Sequence, residues 1–147
     1  KRMNKDDYLL LDNQLCFAIY AASKEIIRLY RPLLDRLEIT YTQYLVLMVL
    51  WETTPLSFKH LGERLYLDSG TLSPVLKKME EKGLLIRSRL ENDERQLMIE
   101  LTEKAHQLKE AAYMVPEQMI CRLQIDIEEA NLLRTKIKNL LTRLPRD

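Results

Sequence analysis

Leu11, Leu15, Ala18, Ala22, Ile26, Leu29 and Leu33 recur at steps of three and four. The spacing predicts an amphipathic helix from about residue 12 to residue 31, with Asp12 as N-cap and Pro32 near its end. A second helix, from about residues 40–42 to 52, carries Tyr44, Leu45, Leu47, Met48 and Leu50. It is apolar almost all round, as a central core helix is. Thr53-Thr54-Pro55 breaks it, and Ser57 caps a short third helix through Phe58, Leu61 and Leu65. Beyond the polar turn of residues 66–71, a fourth helix carries Leu72, Val75, Leu76 and Met79 to Gly83, a C-terminal cap. Pro74 lies inside this segment, so either its first turn is irregular or the regular helix starts near Ser73. Two helices around a short turn fit a helix-turn-helix.

The period then changes from 3.6 to 2. Over residues 84–90 and 96–101, Leu97, Ile99 and Leu101 alternate with Gln96, Met98 and Glu100, as in a half-buried strand. The polar run of residues 91–95 makes the tip of a hairpin, and helix-turn-helix plus hairpin is a winged helix. Thr102 caps a long fifth helix that Pro116 kinks or ends. A sixth carries Leu123, Ile127, Ala130, Leu133, Ile137, Leu141 and Leu144. The terminal stripes exceed what a small central module can cover, which predicts pairing with a second copy about a two-fold axis. The fold class is mainly α, with an α+β winged helix at its centre.

Composition mostly excludes. Eight of the 147 residues are glycine or proline, well under the roughly 12% that is usual, which argues against a turn-rich sandwich or barrel. The longest charge-free stretch, residues 39–51, is shorter than the about 20 residues of a membrane span. No signal-peptide pattern opens the chain, and a start at Lys1 reads as trimmed. A cytoplasmic protein without a membrane partner is expected. The net charge of +1 advertises no polyanionic partner by itself. Two cysteines and two histidines without a local cluster predict no metal, and no cofactor motif occurs.

Three stretches carry a resemblance: Leu11-Asp12-Asn13-Gln14-Leu15-Cys16-Phe17, Leu65-Tyr66-Leu67-Asp68-Ser69-Gly70-Thr71-Leu72, and Asn92-Asp93-Glu94-Arg95. With the order of elements they resemble the MarR family of bacterial transcription regulators, specifically its organic-hydroperoxide-sensing OhrR subgroup of the two-cysteine type. The resemblance covers the chain from about Leu11 onward. It implies a single MarR-type domain over residues 1–147, with a DNA-binding part at 40–101, a recognition helix near 69–82 and a wing near 85–101. Residues 11–37 and 102–144 would be dimerisation helices.

The resemblance further implies a homodimeric repressor, not an enzyme, that holds DNA when reduced. Release would follow when an organic hydroperoxide oxidises Cys16 and a disulfide forms with Cys121 of the partner subunit. Tyr30 and Tyr41 would bond the sensing sulfur across the dimer, with Tyr20 a further candidate. Read from the residues alone, a lone Cys such as Cys16 on an apolar helical face is usually a small buried hydrophobe, and the tyrosines could be core aromatics with satisfied hydroxyls. A first-turn thiol does gain from unsatisfied helix amides, although nearby Asp12 opposes this. Phe17, Ile19, Tyr20 and Trp51 would make an apolar entrance suited to an alkyl hydroperoxide.

For DNA the charge is unhelpful, with eight basic against seven acidic residues between positions 59 and 95. The candidates are geometric. Ser69, Thr71 and Ser73 crowd the start of the recognition helix, Lys77 and Lys78 suit phosphates, and Arg95 braced by Asp93 suits a minor groove. The expected operator is double-stranded, pseudo-palindromic and A·T-rich. Two alternatives remain open: a MarR-type repressor released by a lipophilic or phenolic ligand, and a thiol peroxidase.

Overall fold

A computed structural model describes residues 2, 4–90 and 93–146, with the side chains of residues 93–95 excepted. The order is α1 (Leu15–Asp35), α2 (Tyr41–Glu52), β1 (Leu56–Ser57), α3 (Phe58–Leu65), α4 (Ser69–Glu81), β2 (Leu85–Leu90), β3 (Asp93–Leu101), α5 (Glu103–Ala112), α6 (Met114–Leu123) and α7 (Ile127–Arg143). Two short 3-10 turns, Lys5–Leu9 and Leu11–Asn13, precede α1. The chain divides into two compact units, Lys1–Tyr113 and Met114–Asp147.

In the first unit α2 is the central helix, burying Tyr44, Val46, Leu47, Val49 and Leu50. Thr40 caps it: its hydroxyl accepts from Gln43 N–H at 3.3 Å, and Gln43 Oε1 accepts from Thr40 N–H at 3.1 Å. Leu61 of α3, Leu72, Leu76 and Met79 of α4, and Leu85 and Ile99 of the sheet are fully buried with it. Strands run in the order β1-β3-β2, all antiparallel. Leu85 faces Leu101, Arg87 faces Ile99 and Arg89 faces Leu97, with a shift between Arg89 and Leu90. Two-residue β1 escapes periodicity because so short an element has no period to read.

Helix one departs from expectation at both ends. Asp12 lies in a 3-10 turn and is not the cap; that position belongs to Gln14, which makes no capping side-chain bond. Its amide instead donates backwards to the carbonyls of Tyr8 (2.7 Å) and Leu10 (2.8 Å). The helix also runs through Pro32 to Asp35. A proline inside a helix costs about 3 kcal/mol. Leu33 and Leu34, both within 2% of full burial, offset this at about 1.5–3 kcal/mol each. In α4 the first turn is regular despite Pro74, which lies on the exposed side while Leu72, Leu76 and Met79 anchor the other.

Gly83 closes α4 as expected: at φ 75° its N–H donates to Glu80 O and that of Leu84 to Met79 O, both at 2.9 Å. Thr102 caps α5, accepting from Ala105 N–H at 3.3 Å. The expected long fifth helix is two helices. Its break falls at Tyr113, ahead of Pro116, which occupies the first turn of α6, where a missing N–H costs nothing. Leu123 belongs to α6, because Gln124 at φ 52° ends that helix and Asp126 caps α7 through Glu129 N–H at 2.7 Å.

Candidate nucleic-acid interface and thiol site

The turn between α3 and α4 depends on a close approach. A Cβ on Gly62 would lie 2.9 Å from the Leu67 carbonyl oxygen, while Leu67 N–H donates to Gly62 O at 3.0 Å. Tyr66 takes the left-handed conformation (φ 56°) at the end of α3. Asp68 then caps α4, its carboxylate accepting from Thr71 N–H at 2.7 Å. The Thr71 bonds hold the Asp68 carboxyl below the usual carboxylate range. Gly62 was not singled out from sequence; a lone glycine within a helical pattern was the available signal.

Ser69, Thr71, Ser73, Lys77 and Lys78 are all exposed on α4. With Asp68 as cap, the hydroxyls of Ser69 and Ser73 are not needed for capping, whereas Thr71 also bonds Asp68 through its side chain. Arg87 of β2 joins the wing to this helix. Its backbone N–H (3.2 Å) and Nε (3.3 Å) donate to Glu80 Oε2, and Nη2 donates to Oε1 at 3.2 Å. The pairing holds the Glu80 carboxyl below its ordinary range, chiefly through the Arg87 side-chain bond. Residues 91 and 92 and the side chains of Asp93 and Arg95 lie outside the described residues.

Cys16 is the second residue of α1 and is exposed, with a free thiol. Tyr20 follows one turn later, 59% exposed, with the Lys24 ammonium 5.2 Å from its ring centroid. Tyr30, Tyr41 and Tyr44 form a cluster, with ring centroids 4.8 Å (30–41), 5.9 Å (30–44) and 6.5 Å (41–44) apart. Desolvation, then the neighbouring phenols Tyr41 and Tyr44, push Tyr30 up to about 12. Burial raises Tyr41, and burial with Tyr41 raises Tyr44.

Cys16 and Tyr30 are fourteen residues apart on one helix, roughly 21 Å at 1.5 Å per residue. One chain therefore does not bring the thiol to the tyrosine cluster. Trp51, grouped with the thiol's entrance from sequence, spends its indole N–H on the Ala105 carbonyl at 3.0 Å. Cys121, in the second unit, is exposed on α6 beside Glu117, Gln118 and Arg122. Among the described residues no group of three or more His, Cys, Asp or Glu side chains could hold a metal ion. No described helix is long and apolar enough to cross a membrane.

A helix-turn-helix whose second helix leaves one face exposed, followed by a two-stranded wing, defines a winged helix. A family profile described as transcriptional regulator SarA/Rot matches residues 28–112. The organic hydroperoxide resistance transcriptional regulator of Bacillus subtilis (strain 168) is 48% identical over 141 residues, spanning 96% of each chain. Among solved structures, reduced AbfR bound to DNA is 35% identical with a TM-score of 0.77, covering 95% of this chain and 97% of that one. AbfR is from Staphylococcus epidermidis. Its disulfide-formed structure is 36% identical, with a TM-score of 0.62 over 94% of this chain and 92% of that one. The chain belongs to the MarR/SarA family of winged-helix transcriptional regulators, in its organic-hydroperoxide-resistance (OhrR) group.

Proposed function

We propose that this regulator is a homodimeric, cytoplasmic repressor that senses organic hydroperoxides at Cys16. The observation that carries the reading is the setting of that thiol. It stands exposed on the first turn of a 21-residue helix in which only Leu33 and Leu34 are buried. Exposed apolar surface of that extent calls for a partner, and a second copy about a two-fold axis is the commonest solution. Helix α7 supports the same reading: none of its residues is buried, and Ile127, Leu132, Leu133 and Ile137 are exposed. Residues 11–37 and 102–144 then serve dimerisation and residues 40–101 serve DNA.

Since Tyr30 and Tyr41 stand far from Cys16 in their own chain, they reach a sensing sulfur only from the other subunit. Protonated phenols there donate to the thiolate and then to the sulfenate. Tyr20, one turn from Cys16, flanks the peroxide in this reading. The Cys16 thiolate attacks the hydroperoxide: an S–O bond forms, the O–O bond breaks, and the departing alkoxide takes a proton to leave as the alcohol. Cys16, now a sulfenic acid, has lost two electrons to the peroxide. The thiolate of Cys121 of the partner subunit attacks its sulfur, forming the disulfide and expelling hydroxide, which leaves as water with one proton.

A disulfide needs Cα atoms about 4.4–6.8 Å apart. Its formation moves the dimerisation helices and with them the two copies of α4. The two forms of AbfR, reduced on DNA and disulfide-formed, support this sequence of states. In the reduced dimer α4 enters the major groove, with Ser69, Thr71, Ser73, Lys77 and Lys78 on phosphates and base edges. Arg95, braced by Asp93, enters the adjacent minor groove of an A·T-rich, pseudo-palindromic operator.

Cys16→Ser tests the reading. The variant is expected to bind operator DNA and to stay bound when cumene hydroperoxide is added; release equal to that of the unaltered protein would overturn it. A second reading, release by a lipophilic ligand, has one observation in its favour. A cleft of about 530 Å³ is lined by Leu37, Ile39, Leu84, Leu108 and Ala111 together with Glu38, Lys82, Lys104 and Gln107. That reading predicts unchanged peroxide behaviour in Cys16→Ser.

A further inference from the structure

Tyr41 opens α2, and the first turn of that helix is fastened to the far end of the recognition helix. The fastening is Lys82, the C-cap residue of α4. Its ammonium donates to the Glu38 carbonyl at 2.8 Å and to Gln43 Oε1 at 3.1 Å. Glu38 is the left-handed residue (φ 58°) at the corner between α1 and α2. Gln43 is 3% exposed, and the same Oε1 closes the capping box with Thr40 N–H. Tyr41 therefore sits between the two members of a box whose acceptor is held by Lys82. From the other side, Lys104 of α5 donates to the Lys82 carbonyl at 2.6 Å.

These bonds span 44 and 39 residues of sequence, and both are charge-assisted, hence stronger than neutral ones. Gln43 Oε1 lies in a nearly closed position, where losing its cationic donor is not freely made good by water. A shift of the first turn of α2 therefore pulls on the C-terminus of α4 through the Gln43 bond, and a shift of the corner before it does so through the Glu38 bond.

We propose that Lys82 is a positioning residue that transmits displacement of the tyrosine-bearing first turn of α2 to the recognition helix. This rests on the reading of Cys16 as the sensor, whose oxidation changes what Tyr30 and Tyr41 bond to. Lys82 itself touches neither the sulfur nor, in that reading, the DNA. Its effect lies in the coupling between the two, which is a ratio of affinities.

The test compares operator affinity before and after a stoichiometric cumene hydroperoxide pulse, with Cys16 oxidation followed by mass spectrometry. Lys82→Met keeps the apolar stem and removes the ammonium. It is expected to bind DNA within about threefold of the unaltered protein when reduced, and to oxidise at the same rate. The fall in affinity on oxidation, about 5–150-fold for a coupling of this kind, should shrink to within about threefold. Lys82→Arg, which keeps donors at that position, should recover most of the fall. An undiminished fall in Lys82→Met overturns the tether while leaving Cys16 as the sensor. Failure of the unaltered protein to release DNA overturns both. If Lys82→Met does not fold, Lys82→Gln, a shorter neutral side chain, answers the same question by the same ratio.

Discussion

Arg87 and Glu80 join the wing to the recognition helix through three hydrogen bonds of 3.2–3.3 Å, two of them from the guanidinium. This contact sets where the hairpin points relative to α4, so it bears on DNA more than on stability. Exposed ion pairs stabilise little. Glu80→Gln should therefore leave the melting temperature nearly unchanged and weaken operator binding, as read by fluorescence anisotropy. The Glu80 carboxyl is held below its usual range by Arg87. A lowered folded-state pKa means that the contribution is present above the ordinary value of 4.5 and is lost as pH falls through the lowered one. Chemical shifts of the Arg87 Nε–H group should change only at that acid end, and be flat there in Glu80→Gln.

Gly62 supplies a prediction of opposite sign to helix propensity. Alanine in a helix interior is ordinarily better than glycine by about 0.8–1.0 kcal/mol. Here the added Cβ would lie 2.9 Å from a backbone oxygen, that of Leu67, and backbone cannot swing aside as a flexible side chain can. Overpacking of this kind costs about 1–3 kcal/mol. Gly62→Ala should lower stability in urea unfolding and weaken DNA binding, because the strained turn sets the start of α4. A variant more stable than the parent would mean that the turn relaxes freely.

Tyr30 gives a pH prediction. Its phenol is pushed up to about 12 by burial and then by Tyr41 and Tyr44. The folded state thus holds this proton more tightly than the unfolded chain, whose value is near 10.0. The corresponding stability is fully present below pH 10, and declines as pH rises toward 12. Tyr30→Phe should flatten part of that alkaline loss. Following tyrosinate absorbance, the unaltered protein should show a late-ionising fraction that the variant lacks.

The helix-turn-helix and wing were legible because their signals are local. Leu72, Leu76 and Met79 mark one face of α4, and Gly83 marks its end. Leu97, Ile99 and Leu101 mark a strand by period alone. Both internal prolines misled in the same direction, since Pro32 and Pro74 argue for helix boundaries that burial of Leu33 and Leu34, and of Leu72 and Leu76, overrides. The Asp12 cap failed because Gln14 is drawn back to the carbonyls of Tyr8 and Leu10, a long-side-chain contact without a sequence signature. Lys82 was only one more basic residue in a count, as its partners lie 39 and 44 positions away. The thiol site was legible only through resemblance; nothing in one chain joins Cys16 to Tyr30.

That last gap makes the decisive prediction one about two chains. If Cys16 is oxidised and then captured by Cys121 of the partner subunit, the product is a covalent dimer. Cys121 lies exposed on α6, beside Arg122, so a thiol there is accessible to a sulfenic acid brought to it. Peroxide-treated protein should run as a dimer on a non-reducing gel and as a monomer after dithiothreitol. Cys121→Ser should remove the dimer band while leaving Cys16 oxidisable, so that sulfenic acid, or its further oxidation products, accumulates in the mass spectrum. DNA release in that variant should become slower to reverse with a mild thiol reductant, because over-oxidised sulfur is not reduced by exchange. A monomer band from the oxidised parent protein, with Cys16 oxidised and the Cys121 thiol intact by mass, would remove Cys121 from the mechanism.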